Sequence, residues 1–510
     1  MKRVKQFHLS ISQSEFKKLS NQFNRIPICC SFHSDLDTPL SIYLKLEQQS
    51  TNAFLLESVE KNEKIARYSI IGFDPIRIFK SKGNQFWIIE PNQTYQIKTN
   101  DPLGEIEKRM QLIHQMPIEK PMGFLGGLVG YVGYDLVRTF EKIPSKISDV
   151  LELPELYLME TNQMVIFDHF RQTFDVIVNA VIENSHQYLK VYKKVSKQVQ
   201  DIIQKIFNTK FDFNLLEIPS VHSEILFPFG FHSNQSPNEF KKNIRKAKTY
   251  IRDGDLIQIV LSQRFEKKTK ANAITIYRVL RHLNPSPYMF LLKMNGIELV
   301  GASPEMLVKV QEGIITMHPI AGSRPRGKTD HEDIGLEKEL LHDEKELSEH
   351  VMLVDLARND LGRVCEPGTV VVPQFKKVEK YSHVMHIVSE VTGRLKKDQT
   401  PWRAFRSAFP AGTLSGAPKI KAMELIEELE PSQRGIYGGT VVAYGYNQAL
   451  DSAIAIRSVV LKKNKLQKMA FVQAGCGIVA DSIPHLEYQE SCNKAKAVML
   501  AVGLSEQWSD

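Results

Sequence analysis

GIYGGTVVAYGYNQALDSAIAIRSVVLKKNKLQKMAFVQAGCGIVAD, residues 435–481, contains three strand-like runs: 435–446, 451–463 and 468–481. Short polar turns separate them. Turns of that length join antiparallel neighbours, because a parallel pair needs a crossover of about a dozen residues or more. Working outward, similar runs recur at DLIQIVLSQRFEKK (255–268), PYMFLLKMNGIELVGASPEMLVKVQ (287–311) and GIITMHPIAG (313–322). In the first half they occupy Tyr68–Ile97, Glu155–Phe167 and Phe174–Val181. GFLGGLVGYVGYDLVR (123–138) lacks the GxGxxG spacing of a dinucleotide loop and reads as a strand whose glycines permit close packing. Helical stretches are inserted at 103–116, about 188–207, 236–255 and 401–409. The predicted fold is α+β, with large antiparallel, sandwich-like sheets and inserted and flanking helices. Residues 208–235 are polar and weakly patterned. They read as a linker between an N-terminal domain, 1–207, and a larger one, 236–510.

Two helices carry paired carboxylates. In DEKELSEHVMLVDLARNDLGRV (343–364) and the residues just before it, Leu340, Leu347, Val351 and Val354 form one apolar stripe, with Glu346, Glu349, His350 and Leu353 on a neighbouring face. A strand-like run ending at His386 follows. Near the C-terminus Ser482 is placed to cap a helix entered through Pro484, which carries Glu487, Glu490 and Lys494 at successive turns. If the helices meet, four carboxylates converge. Two such charges about 5 Å apart repel by roughly 3 kcal/mol at an effective dielectric of about 20, so the cluster needs a cation or shared protons. All-oxygen ligation suits Mg²⁺.

Composition excludes several classes. The 510 residues are 42% hydrophobic and 24% charged, as in a globular protein. No apolar run reaches the ~18–20 residues of a membrane span. MKRVKQFHLSISQSEF has no apolar core for a secretory leader, so a cytoplasmic protein is expected. The net charge of +8 is spread out, and the lysines of 190–205 read as a solvated helix face, with no nucleic-acid-binding motif. Five cysteines without framework spacing fit reduced thiols, and neither CxxC nor HExxH is present for zinc.

Several segments, taken jointly and in order, carry a resemblance: PIAGSRPRG (319–327), KELSEHVMLVDLARNDLGRV (345–364), YSHVMH (381–386), GTLSGAPK (412–419), GIYGG (435–439), AIRS (455–458), QAGCGIV (473–479) and 487–495. They resemble the chorismate-utilising enzymes, and among these the anthranilate synthase component I group. LLES (55–58), ARYS (66–69) and GGLVGYVGYD (126–135) extend the likeness into the first half. The resemblance implies a Mg²⁺-dependent lyase with its active site in a cleft of the C-terminal part. Chorismate and ammonia would give anthranilate and pyruvate, the ammonia entering at C2 as the C4 hydroxyl leaves. Glu349 and Glu490 are the implied direct metal ligands, with Glu346 and Glu487 holding metal-bound waters. His386 is the implied proton-transfer group beside the leaving hydroxyl, and Thr413 lines the same site. Substrate contacts carried over are Gly322, Ser323, Tyr437, Arg457, Gly475, Cys476, Gly477 and Lys494. Position 323 is usually Thr in the family, and Cys476 is usually a small residue; a catalytic thiol is not expected there. Aminodeoxychorismate synthases, the alternative reading, typically carry Lys where this chain has Ala321. Isochorismate and salicylate synthases carry a water-activating Lys where it has Gln258.

LLES and NPSPYMF (284–290) match the segments that form a tryptophan feedback site in the family. Glu57, Ser58, Arg67, Pro287, Tyr288 and Met289 are the candidates, with Glu57 able to pair with the ammonium. No glutaminase nucleophile is visible. The resemblance therefore implies a separate glutamine amidotransferase, component II, as partner in a heterotetramer. A non-catalytic tryptophan sensor would have no need of the paired carboxylates and His386.

Overall fold

Alternation of buried and exposed side chains, broken by tight turns, gives strands throughout the chain. The computed structural model describes residues 8–59, 67–117, 123–209, 229–380, 384–463 and 467–508. Among these, two antiparallel sheets of twelve strands each form the body. The path of the first runs Arg25–His33, Thr173–Val181, Gln163–Asp168, Tyr68–Phe73, Asn52–Glu57, Tyr288–Met294, Ile297–Ser303, Ser458–Lys463, Lys468–Ile478, Gln258–Lys268 and His232–Ser233. That of the second runs Ile320–Pro325, Val384–Arg394, Ile314–Met317, Met306–Gln311, Leu450–Ile454, Thr440–Gly445, Gly127–Val132, Leu156–Thr161, Arg77–Lys82, Gln85–Glu90 and Gln93–Lys98. Each sheet takes strands from both sides of 208–235. The seams are Asn52–Glu57 against Tyr288–Met294, and Gly127–Val132 against Thr440–Gly445. Of the expected linker, 210–228 lie outside the described residues.

The sheets pack face to face. Phe54, Phe290 and Leu299 of the first join Val129, Tyr157 and Val441 of the second in one apolar cluster. Helices cover the outer faces. Pro39–Glu47, Tyr188–Asn208, Ala273–Leu283 and Pro484–Glu506 pack on the first sheet; Pro102–Met110, Glu344–Gly362 and Pro401–Ala408 pack on the second. The glycine-rich stretch is a strand as expected, and Gly130 gives the reason: a Cβ there would lie 2.0 Å from Tyr157 O of the neighbouring strand. No helix among the described residues is long and apolar enough to cross a membrane. All five cysteines are buried, and none is joined in a disulfide.

Several local expectations differ from the structure. Leu340 belongs to a separate helix, Asp330–His342, rather than to the helix that carries the first carboxylate pair. Asp343 ends the one and caps the other, accepting from the Lys345 and Glu346 amides at 3.1 Å. Val351 is 37% exposed, whereas His350, Leu353, Val354 and Ala357 are buried. The buried stripe is thus rotated onto the His350 side, so that a histidine replaces a valine in it. The run ending at His386 comprises two strands, Val371–Lys380 and Val384–Arg394, and residues 381–383 between them lie outside the described residues. Ser482 does not cap the last helix. Ile483 holds that position, and the Ser482 hydroxyl accepts from the Val479 amide at 3.1 Å. The helix Ala273–Leu283 was not foreseen, although Asn272 caps it through the Thr275 amide at 2.7 Å.

Candidate active site

The N-capping by Asp343 sets the register in which Glu346 and Glu349 leave the helix Glu344–Gly362 toward the strand Ile320–Pro325. Gly322 interrupts that strand's pairing with a bulge and has φ +70. A Cβ there would stand 3.2 Å from both Glu346 Oε2 and Leu340 Cδ1, so glycine serves both the backbone turn and the close approach. The Gly322 carbonyl lies 2.9 Å from His386 Nδ1. A carbonyl only accepts, so Nδ1 carries the proton and Nε2 the lone pair of the neutral ring. Burial, joined by the Arg457 charge and opposed by the Gly322 bond, lowers the His386 pKa. The imidazole is therefore neutral at pH 7. His350 ties the same helix to the strand Val384–Arg394, which also carries His386: its Nε2 lies 2.6 Å from Ser389 Oγ, and burial lowers its pKa to about 4.

Opposite lies the ladder Gln258–Lys268 with Lys468–Ile478. The amides of Val260 and Ser262 bond away from this ladder, to Ser415 O and Glu430 Oε1. Their register partners Gly477 and Gly475 are therefore non-hydrogen-bonded positions, and their peptide groups point away from Gln258–Lys268. The other neighbour, Ser458–Lys463, stops pairing at Val472, which leaves that edge open beside the two glycines. The Tyr437 hydroxyl sits 3.0 Å from where a Gly475 Cβ would be, and Gln258 Nε2 is 2.7 Å from the Gly477 equivalent. Gln258 is only 3% exposed and donates to Glu349 Oε1 at 3.4 Å. Cys476 alternates to the opposite face and packs among Phe240, Ile244 and Leu425, where burial holds its thiol protonated. The two glycines, not Cys476, present outward-facing amides.

Arg457 leaves the end of Leu450–Ile454 with φ +50, a left-handed conformation for a side-chain-bearing residue. Its Nη1 donates to Lys494 O at 2.7 Å, and its charge is felt by His386 and Tyr437. On the last helix Lys494 Nζ lies 2.7 Å from Glu490 Oε1. Burial and then Glu349 raise the Glu346 pKa. Burial and then Glu490 raise that of Glu487, while its bond from Ser482 opposes the shift. Lys345 of the first carboxylate helix also acts on Glu487, so the two helices approach each other. They do not close into one cluster: among the described residues no three His, Cys, Asp or Glu side chains stand together as a metal site. The donor set nevertheless fits a hard cation, because oxygen is the only donor offered, with Lys494 beside Glu490 and Arg324 Nη1 3.8 Å from Glu346 supplying the nearby positive charge meanwhile.

Sequence reading missed Glu305. It follows Ser303–Pro304 and looks like a turn residue. The fold brings Thr413, 108 positions away, onto it, and Thr413 Oγ1 donates to Glu305 Oε1 at 2.8 Å. Burial pushes its pKa up to about 7, with the Thr413 bond and Lys494 opposing. Nothing local in the sequence signals this; the pairing of separate chain segments creates it.

The six residues proposed for an inhibitor all line a second site. Glu57, Ser58, Arg67, Pro287, Tyr288 and Met289 border a cavity of about 1140 Å³ between the sheets. The seam does this directly by pairing Glu57 with Met289. None of the expected chorismate contacts lines this cavity.

The sequence profile of chorismate binding enzymes matches residues 28–500. The chain belongs to that family. It is 45% identical to anthranilate synthase component 1 of Acetivibrio thermocellus over 491 residues, covering 96% of this chain and 97% of that one. The Aquifex aeolicus protein of the same name is 42% identical over 500 residues, covering 98% and 99%. The crystal structure of anthranilate synthase component I from Streptococcus pneumoniae superposes with a TM-score of 0.75 at 34% identity, covering 92% of this chain and 98% of that one. The menaquinone-specific isochorismate synthase of Escherichia coli shares the fold, with a TM-score of 0.69 at 17% identity over 96% and 98% of the chains. The α+β family architecture with two large antiparallel sheets is thus the observed one.

Proposed function

We propose that the chain is the large subunit of an anthranilate synthase, which converts chorismate and ammonia to anthranilate and pyruvate for tryptophan synthesis. The observation that carries this reading is Gln258, a buried, uncharged amide beside Glu349 where a water-activating base would need a lysine. Ala321 likewise offers no amine for a substrate intermediate. Ammonia is then the nucleophile, delivered by a separate glutamine amidotransferase, component II.

In this reading chorismate lies in a cleft of the 236–510 part, between the Gly475–Gly477 edge and the helix Glu344–Gly362. Arg457, Tyr437 and the Gly475 and Gly477 amides bind the enolpyruvyl carboxylate, and Gly322 and Ser323 border the ring. Glu349 and Glu490 would hold Mg²⁺, with Glu346 and Glu487 accepting from its waters. Bound Mg²⁺ supplies positive charge at the ring carboxylate. Glu305, half protonated near neutral pH, gives its proton to the departing C4 hydroxyl. Thr413 orients that carboxyl. His386 is neutral, with its N–H directed at Gly322, and is the poorer acid. Its Nε2 lone pair instead takes the C2 proton as pyruvate is eliminated. Tryptophan binds in the inter-sheet cavity and inhibits from there.

The test is product identity. The chain with chorismate, Mg²⁺ and ammonium is expected to release fluorescent anthranilate. Formation of 4-amino-4-deoxychorismate or isochorismate instead would refute the assignment.

A further inference from the structure

Behind the candidate active site stands a buried ion pair to which the reaction described above gives no part. Arg434 Nη2 lies 2.6 Å from Glu430 Oε1 and Nε lies 2.9 Å from Oε2, and both residues are buried. Two charges withdrawn from water are costly unless further hydrogen bonds meet their remaining donors and acceptors. Both residues make such bonds. Glu430 Oε1 also accepts from the Ser262 amide and hydroxyl, each at 2.8 Å. Arg434 Nη2 donates to Val260 O at 2.8 Å, and Nη1 donates to Leu414 O at 2.5 Å. The guanidinium carbon lies 4.7 Å from the Tyr134 ring centroid and 5.7 Å from that of Tyr437. A planar fork reaches Glu430, Val260 and Leu414 at once; an ammonium, being a point charge, does not.

These acceptors lead to Glu305. Leu414 follows Thr413, whose Oγ1 donates to Glu305 Oε1 at 2.8 Å. The single turn Gly412–Leu414 has no side-chain cap of its own. It is joined to the strand Gln258–Lys268 by the Val260 amide, which donates to Ser415 O at 3.0 Å. Arg434 holds the turn at Leu414 O and the strand at Val260 O, so it clasps both sides of that joint. The branched Thr413 side chain is stiff about χ1, so its hydroxyl moves with the backbone that carries it.

We infer that Arg434 is a positioning residue, which fixes the Gly412–Leu414 turn so that Thr413 aims the Glu305 carboxyl. This rests on the reading of Glu305 as proton donor and Thr413 as its orienting partner. The Thr413 bond opposes the burial that raises the Glu305 pKa, as does Lys494 of the last helix. Asp360, bonded by Lys419, and His318 border the small cavity beside Glu305. Loosening the turn weakens the Thr413 bond and lets the Glu305 pKa climb.

Anthranilate formation by the full chain from chorismate, Mg²⁺ and ammonium, followed across pH at constant free ammonia, tests this. Arg434→Lys keeps a charge beside Glu430, and Thr413→Val removes the hydroxyl but keeps the shape. Each is expected to lower kcat about tenfold, the effect of one hydrogen bond, and to move the alkaline decline of kcat to higher pH. In the double variant kcat should lie within about twofold of Thr413→Val alone, because both changes cut one linkage. A merely structural loss would lower kcat alike at every pH and leave the decline in place. Losses that multiply to about a hundredfold, or an Arg434→Lys decline that does not move, overturn the inference. If Arg434→Lys does not fold, Glu430→Gln takes its place, since it leaves Arg434 but removes the charge that aims it. There a lowered Tm with kcat and the decline unchanged also overturns the inference. If Thr413→Val alone changes neither kcat nor the decline, the reading of Thr413 and Glu305 falls. A fault at Arg434 is distinct from that outcome, because Thr413→Val then behaves as expected.

Discussion

Residues 258–494 supply every group around Gln258 and Glu349, whereas the inter-sheet cavity takes Glu57, Ser58 and Tyr68 from one side of 208–235 and Tyr288 and Asp451 from the other. The first site is a set of opposed charges on helices and an open strand edge. The second is a gap at the seam where two segments complete each sheet. Chemistry can reside in one segment, but a cavity at a seam responds to how the segments fit. Regulation is therefore expected to be separable from catalysis by mutation.

The largest expected effect is at the carboxylates. Glu349→Ala or Glu490→Ala should lower kcat/KM by about 10³ or more through loss of the cation, with an unchanged circular dichroism spectrum. Retained activity in both would break the contrast by removing the metal from the first site. Next, Glu305→Gln should reduce kcat by about 10²–10³. With Glu305 as the proposed proton donor, kcat of the unaltered chain should fall as pH rises through about 7. On the acid side, protonation of His386 should limit the rate below its ordinary range, since burial lowers its pKa. A pH profile of the Glu305→Gln enzyme should lack the alkaline decline; persistence of that decline would assign it to another group. Smaller effects belong to the cavity. Ser58→Ala or Met289→Thr should raise the tryptophan concentration for half inhibition about tenfold, with kcat within twofold, because coupling between sites is typically ~1–3 kcal/mol. Unchanged inhibition in both would place the inhibitor elsewhere.

Legibility in the sequence follows the same division. Strand-and-turn alternation in 435–481 gives the antiparallel architecture, and the i, i+3 spacing of Glu346/Glu349 and Glu487/Glu490 survives in the fold. The break at Asp343 was not legible, because an acid that ends one helix and caps the next leaves the apolar spacing of Leu340 and Leu347 intact. Glu305 and Asp451 were invisible for a different reason. Their environments are made by partners distant in sequence, Thr413 for one and Tyr288 for the other. Motif resemblance reached Glu57 and Ser58 without revealing that Ser69 and Tyr277 already engage Glu57.

Two separate sites make one prediction that a single shared site cannot. With Mg²⁺ present and ammonia absent, the chorismate dissociation constant should be measured at increasing tryptophan concentration. Separate, coupled sites predict that it rises and then levels off, by about 5–150-fold, with chorismate raising the tryptophan constant by the same factor. A rise in direct proportion to tryptophan, without a plateau, would mean that both ligands occupy one site and would contradict the account.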